Sequence, residues 1–239
     1  MAASALARQQ LELDILPALR TREEITGRYR HLREVSRRIN EGLLKLVSGN
    51  TIVKQARRLG LTLGRTLLLD TMDQMAFLFD LAIYTAPPDR TSAIERYART
   101  ARFEAGSDQA RVFEAMRKAR FVLGTVERRH ETAGLIIGDV FRQADFWLVD
   151  EGLESSLKEG TVLATRVFTP DEFSVTCGVM MPLDTMILED VIEELRPRLR
   201  NHALEEVCDD RRFAETIYRT AMACGIMDTI AFRDPTSED

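Results

Sequence analysis

The sequence predicts an α+β fold: mainly helical N- and C-terminal regions around a small five-stranded antiparallel barrel or curled sheet. Three observations carry that prediction. Between Phe121 and Leu183, five short runs of strand-like residues are separated by turn residues at spacings of about 8–12. Upstream, Arg22 to Val47 holds an apolar stripe of helical period. Beyond Asp184 the chain returns to helical periodicity, now in an acidic setting.

Taken in order, residues 4–20 predict a short helix with Leu6, Leu13 and Leu16 inward, ended or bent at Pro17. Thr21 followed three residues later by Glu24 is a capping box, which opens a helix running to about Val47. Its stripe is Ile25, Tyr29, Leu32, Ser36, Ile39, Leu43 and Leu46, in alternating steps of 4 and 3. That is a heptad seam about three repeats long. It packs on the protein's own core or pairs with a second helix, within the chain or in a dimer. Ser48, Gly49 and Asn50 close this helix, and Thr51 to Leu59 begins another. Leu59-Gly60-Leu61 is like the turn of a helix-turn-helix, but a strand-like Leu63–Leu69 follows where a recognition helix belongs.

Asp70 or Thr71 caps a buried helix reaching Tyr84, whose Asp73 and Asp80 are expected to be solvent-exposed charges. After the loop at Ala86–Asp89, a short helix spans Ser92 to Thr100, and Ser107 or Asp108 caps another to about Arg120. That last helix carries a second small basic cluster, Arg111, Arg117, Lys118 and Arg120.

The five strands are FVLGTVE, LIIGDVF, DFWLVDEGL, TVLATRVF and FSVTCGVM, with Glu127 to Gly134 a polar turn region. Arg166 falls in phase with apolar neighbours. It is expected either to pair with Asp139 or Asp150 or to face a ligand. Asp184 caps a helix from Thr185 to about Leu195, which Pro197 ends or kinks, and Asp209 or Asp210 caps a last helix from Arg211 to Cys224. The expected division is 1–106, 107–183 and 184–239, with one compact domain as the alternative.

A 239-residue chain of 45% hydrophobic and 30% charged residues has length enough to bury a core without a metal or disulfide staple. No run is long and apolar enough to predict a membrane span, and no secretory leader is legible. Cys177, Cys208 and Cys224 are widely spaced and odd in number, which predicts free thiols in a reducing cytoplasm. No cofactor and no metal is expected: phosphate-binding glycine loops, GxSxG and HExxH are absent, and His31, His130 and His202 share no ligand spacing. Pairing Cys177 with His130 as a nucleophilic site has no support from spacing.

The net charge of −5 is unevenly spread. Residues 20–65 hold twelve Arg or Lys against four Asp or Glu, so a basic segment precedes an acidic body.

The runs RKARFVLGTVE, GLIIGDVFR, FWLVDEGLESSLKEGTVLATRVF and EFSVTCGVMMPL, with ARRLGL and FLFDLAIY before them, resemble a family of uncharacterised bacterial proteins. Many of its members carry a C-terminal SEC-C zinc-binding motif. That motif is absent here, so no zinc site is implied. The resemblance implies an architecture and a bacterial cytoplasmic setting.

The function expected is a non-enzymatic binding or interaction protein. Its basic residues Arg28, Arg30, Arg33, Arg37, Arg38, Arg57 and Arg58 would meet nucleic acid or an acidic protein partner. A homo-oligomer through the Ile25–Leu46 seam is expected as a further partner state, and a membrane is not. The alternatives are an enzyme using Asp70, Asp139 or Asp150, and a structural or dimerisation module.

Overall fold

In the computed structural model, residues 21–64, 66–87 and 90–224 are described. The helix expected over residues 4–20 lies outside them. Helix α1 spans Arg22–Leu44, and its capping box forms as the sequence demands: Thr21 accepts from the Glu24 N–H while Glu24 accepts from the Thr21 N–H. Ser48 does not end this helix but caps the next, α2 (Gly49–Arg58), by accepting from Thr51 N–H. A minimal hairpin follows, β1 (Thr62–Leu63) with β2 (Thr66–Leu67). Then come α3 (Met72–Tyr84), α4 (Ala93–Thr100) and α5 (Asp108–Arg117), capped by Thr71, Ser92 and Ser107.

The β unit holds the five expected strands: β3 (Arg120–Arg129), β4 (Leu135–Asp139), β5 (Ala144–Leu148), β6 (Val162–Phe168) and β7 (Val175–Leu183). Their order is β5-β4-β3-β6-β7, antiparallel throughout. Of barrel and curled sheet, the outcome is the curled sheet. Its two edges meet only where Leu148 bridges Ser174, so β5 and β7 stay edge strands. The polar stretch expected as a turn from Glu127 is partly strand. Arg128 and Arg129 pair with Ile136 and Leu135 after a register slip, because a ladder needs backbone groups and tolerates exposed charge. The C-terminal half of DFWLVDEGL is not strand; Asp150 caps a short helix, α6 (Glu151–Ser156).

Helices α7 (Thr185–Leu199), α8 (Leu204–Asp209) and α9 (Arg212–Ala223) complete the described chain. Pro197 lies inside the last turn of α7, where it costs one helical bond without ending the helix.

Strand β3 explains how the core is divided. Phe121 and Leu123 point to a cluster with Phe77, Phe213 and Tyr218, under α3, α7 and α9. Val122 and Val126 point the other way, into the curl with Ile137, Leu163 and Val167, closed by Leu153 and Leu157. A third cluster joins Ile25, Leu32, Ile39 and Leu43 of α1 to Phe113 and Met116 of α5 and to Phe173. The heptad seam is therefore covered by this chain's own residues. A homo-oligomer through it would have to displace them, since Leu46 alone of the seam is exposed.

Candidate functional site

Six arginines lie on α1, and five are spent on carboxylates that the fold brings from far along the chain or from the same helix face. Arg22 meets Glu154 at 2.8 Å, and Arg28 meets Asp108 at 2.6 Å and Asp171 at 2.7 Å. Arg30 meets Glu151 at 2.6 Å. Arg37 and Arg38 share Glu34, both at 2.9 Å, and these neighbours hold the Glu34 carboxyl down at about 2. On α2, Arg58 reaches Glu215 at 3.6 Å, while Arg57 is exposed. Of the α1 arginines, three thus pair with carboxylates of the acidic body and two with carboxylates of α1 itself.

Arg33 is the exception. Among the described residues its guanidinium has no carboxylate at ion-pair distance. Its one hydrogen bond goes from Nη1 to the Thr176 carbonyl, at 3.0 Å. Helical spacing sets Tyr29, Arg33, Ser36, Asn40 and Leu44 along one flank of α1. Opposite stands α3, with Asp73, Ala76, Phe79 and Ile83, and the floor is β7 from Thr176 to Met180. Between them lie three adjoining recesses of about 170, 350 and 220 Å³, all bordered by Gly178. Gly178 is exposed with φ +98°, and a Cβ there would meet nothing within 4 Å, so the strand leaves the groove open at that point.

The groove also holds a buried acceptor, Asn40 Oδ1, without a hydrogen-bond partner among the described residues. Such a group costs about 1–3 kcal/mol relative to a satisfied one. Arg33 and Asn40 are seven residues apart on α1, about 10 Å along its axis. Around them, burial pushes the Cys177 thiol up to about 12, and the Tyr84 hydroxyl, which donates to Cys177 Sγ at 3.3 Å, is also driven up by burial. Burial raises the Asp73 carboxyl as well. The groove is therefore bordered by the Arg33 cation, the Asn40 amide and protonated hydroxyl and thiol groups, beside the carboxyl groups of Glu34, Asp73 and Asp150. The thiol is in its non-nucleophilic form.

Cys177 and His130 do not come together. Cys177 meets Tyr84, whereas His130 stacks on Trp147 with ring centroids 3.9 Å apart. The three carboxylates considered for catalysis serve separate parts of the fold. Asp70 is exposed ahead of α3. Asp139 accepts from Phe141 and Arg142 N–H and pairs with the Arg142 side chain. Asp150 caps α6 and accepts from Thr176 Oγ1 at 3.2 Å. Among the described residues, no three His, Cys, Asp or Glu side chains gather as a metal site.

Two expectations are corrected. Asp80 is buried at 3% exposure, not solvent-exposed. Arg166 pairs with Asp80, at 2.7 Å, rather than with Asp139 or Asp150, because its strand position points under α3. Asn40 was missed altogether; its only signal is a polar residue of low helix propensity, two turns beyond Arg33 and on the same flank.

A family model described as a family of unknown function (DUF7986) matches residues 23–227. No curated protein and no solved structure matches the chain.

Proposed function

We propose that this chain, which belongs to that family of unknown function, is a non-enzymatic binding protein that holds the carboxylate end of an extended peptide in the α1–β7–α3 groove. The observation that carries the reading is Arg33, the one arginine of α1 without a carboxylate among the described residues. A guanidinium with free donors takes a carboxylate in a bidentate grip. Asn40, about 10 Å further along the α1 axis, offers its Oδ1 to a peptide N–H, and about three extended residues span that length. The edge strand β7 runs beside this path, as in the recognition mode where a peptide lies along a sheet edge. The acidic protein partner expected from the sequence is thereby narrowed to a chain terminus. A nucleic-acid partner for α1 draws no support from arginines already paired. The reading sets the protein in a reducing bacterial cytoplasm, on three unlinked cysteines and the resemblance above.

The test is fluorescence anisotropy with an N-terminally labelled, randomised hexapeptide pool ending in a free carboxylate, against the same pool amidated. Binding of the acid pool alone is expected. Equal binding of both pools, or none of either, would sink the reading.

A further inference from the structure

A second recess lies at another corner of the fold, where α5 ends, β3 starts and α8 passes into α9. Its volume is about 320 Å³ and its lining is mainly polar. Six cationic side chains border it, Arg117, Lys118, Arg120, Arg142, Arg166 and Arg211, against the acidic Asp209 and Asp210. Most of that charge is accounted for. Arg117 is held by Glu95 and Glu114, and Arg166 by Asp80. Arg142 lies between Asp139, at 2.9 Å, and Asp209, at 2.5 Å, and Asp210 is taken by Arg212.

Three cations are left with donors to spare. Lys118 has no carboxylate at ion-pair distance among the described residues. Arg211 is half-buried, and among the described residues its one hydrogen bond is to the Ala86 carbonyl at 3.2 Å. Arg120 is 3.5 Å from Asp139, a carboxylate that Arg142 already holds more closely. Its guanidinium lies over the Phe146 ring, 5.0 Å from the centroid, which fixes its direction. Like charges bordering one recess repel, and an oxyanion between them offsets that repulsion.

We propose that this recess binds a phosphate group carried by a small molecule, gripped by Lys118, Arg120 and Arg211. Two or three cationic donors around one position suit a dianion with several acceptor oxygens. The volume is that of a small-ligand pocket. This site is separate from the peptide groove and does not depend on it.

The test is thermal unfolding and ³¹P NMR of the full chain titrated with inorganic phosphate, with sodium chloride at matched ionic strength as control. Phosphate should raise the midpoint and exchange-broaden its own ³¹P signal, and chloride should do neither. Citrate and a short single-stranded DNA complete the comparison. A stronger response to citrate would assign the recess to carboxylates, and one to DNA alone would assign it to a polymer; either overturns the proposal. Lys118→Met changes an exposed side chain, should fold as the parent does, and should weaken phosphate binding by about tenfold or more. Arg211→Met should do the same, with circular dichroism reporting the fold. An unchanged phosphate response in both folded variants, or a chloride response equal to that of phosphate, would overturn the assignment.

Discussion

Arg166 donates from Nε to Asp80 Oδ1 at 2.7 Å, across 86 residues of sequence, with both side chains buried. Tyr218 donates to the same carboxylate at 3.1 Å, and Arg166 stacks on Tyr84 and Phe121. One buried charge pair thus ties β6 to α3 and α9. Removing one partner leaves the other charged and unsolvated. Asp80→Asn should therefore destabilise the fold by about 3–5 kcal/mol. The double variant Asp80→Leu with Arg166→Met should lose much less. Urea unfolding measures both, and a double variant as unstable as the single one would deny that the unpaired charge is the cause.

Asp108 joins α5 to α1 through Arg28 and His31 and pairs with Arg111 of its own helix, and these partners hold its carboxyl well below the usual range, Arg28 contributing most. Its folded pKa lies under its unfolded one. The stability it contributes is complete above about pH 4 and is lost as the pH falls through the depressed value. Asp108→Asn should be less stable than the parent at pH 7, and the gap should narrow steadily below pH 4. A gap that is constant with pH contradicts this linkage.

The thiols should differ in reactivity. Burial pushes all three thiols up, Cys177 to about 12 and Cys208 to about 11, but Cys224 alone is exposed. At pH 8 Cys177 and Cys208 are almost wholly protonated. Iodoacetamide labelling followed by mass spectrometry should modify Cys224 first. Cys177 reacting as fast would show a thiolate in the groove and reopen the catalytic reading.

Asn40→Leu replaces the unpaired acceptor by an apolar group of similar size. It should leave the free protein as stable as before or more so, by about 1 kcal/mol, while weakening capture of the peptide. Stability and binding falling together would make Asn40 a structural residue.

Local signals were the legible ones. The Thr21–Glu24 capping box, the Asp184 cap and the strand alternation over 121–183 each involve neighbours in sequence, and each appears where the spacing placed it. What was hidden is tertiary. Nothing near Asp80 announces Arg166, and nothing in the run of α1 arginines announces Glu151, Glu154, Asp108 and Asp171. A cluster of charge in sequence says where cations start, and the fold decides which remain free. Arg33 differs from its neighbours in that its hydrogen bond goes to a β7 carbonyl while no carboxylate lies at ion-pair distance among the described residues.

The central claim is that Arg33 grips a carboxylate. It is tested most directly by titrating Arg33→Met and the parent with the labelled acid-ended hexapeptide pool. Arg33→Met loses one hydrogen bond, to the Thr176 carbonyl, and no ion pair among the described residues, so the variant should stay folded and be less stable by only about 1 kcal/mol. Its affinity for the acid pool should fall by about tenfold or more, to the level of the amidated pool. A variant that folds normally and still distinguishes acid from amide as the parent does would contradict the account.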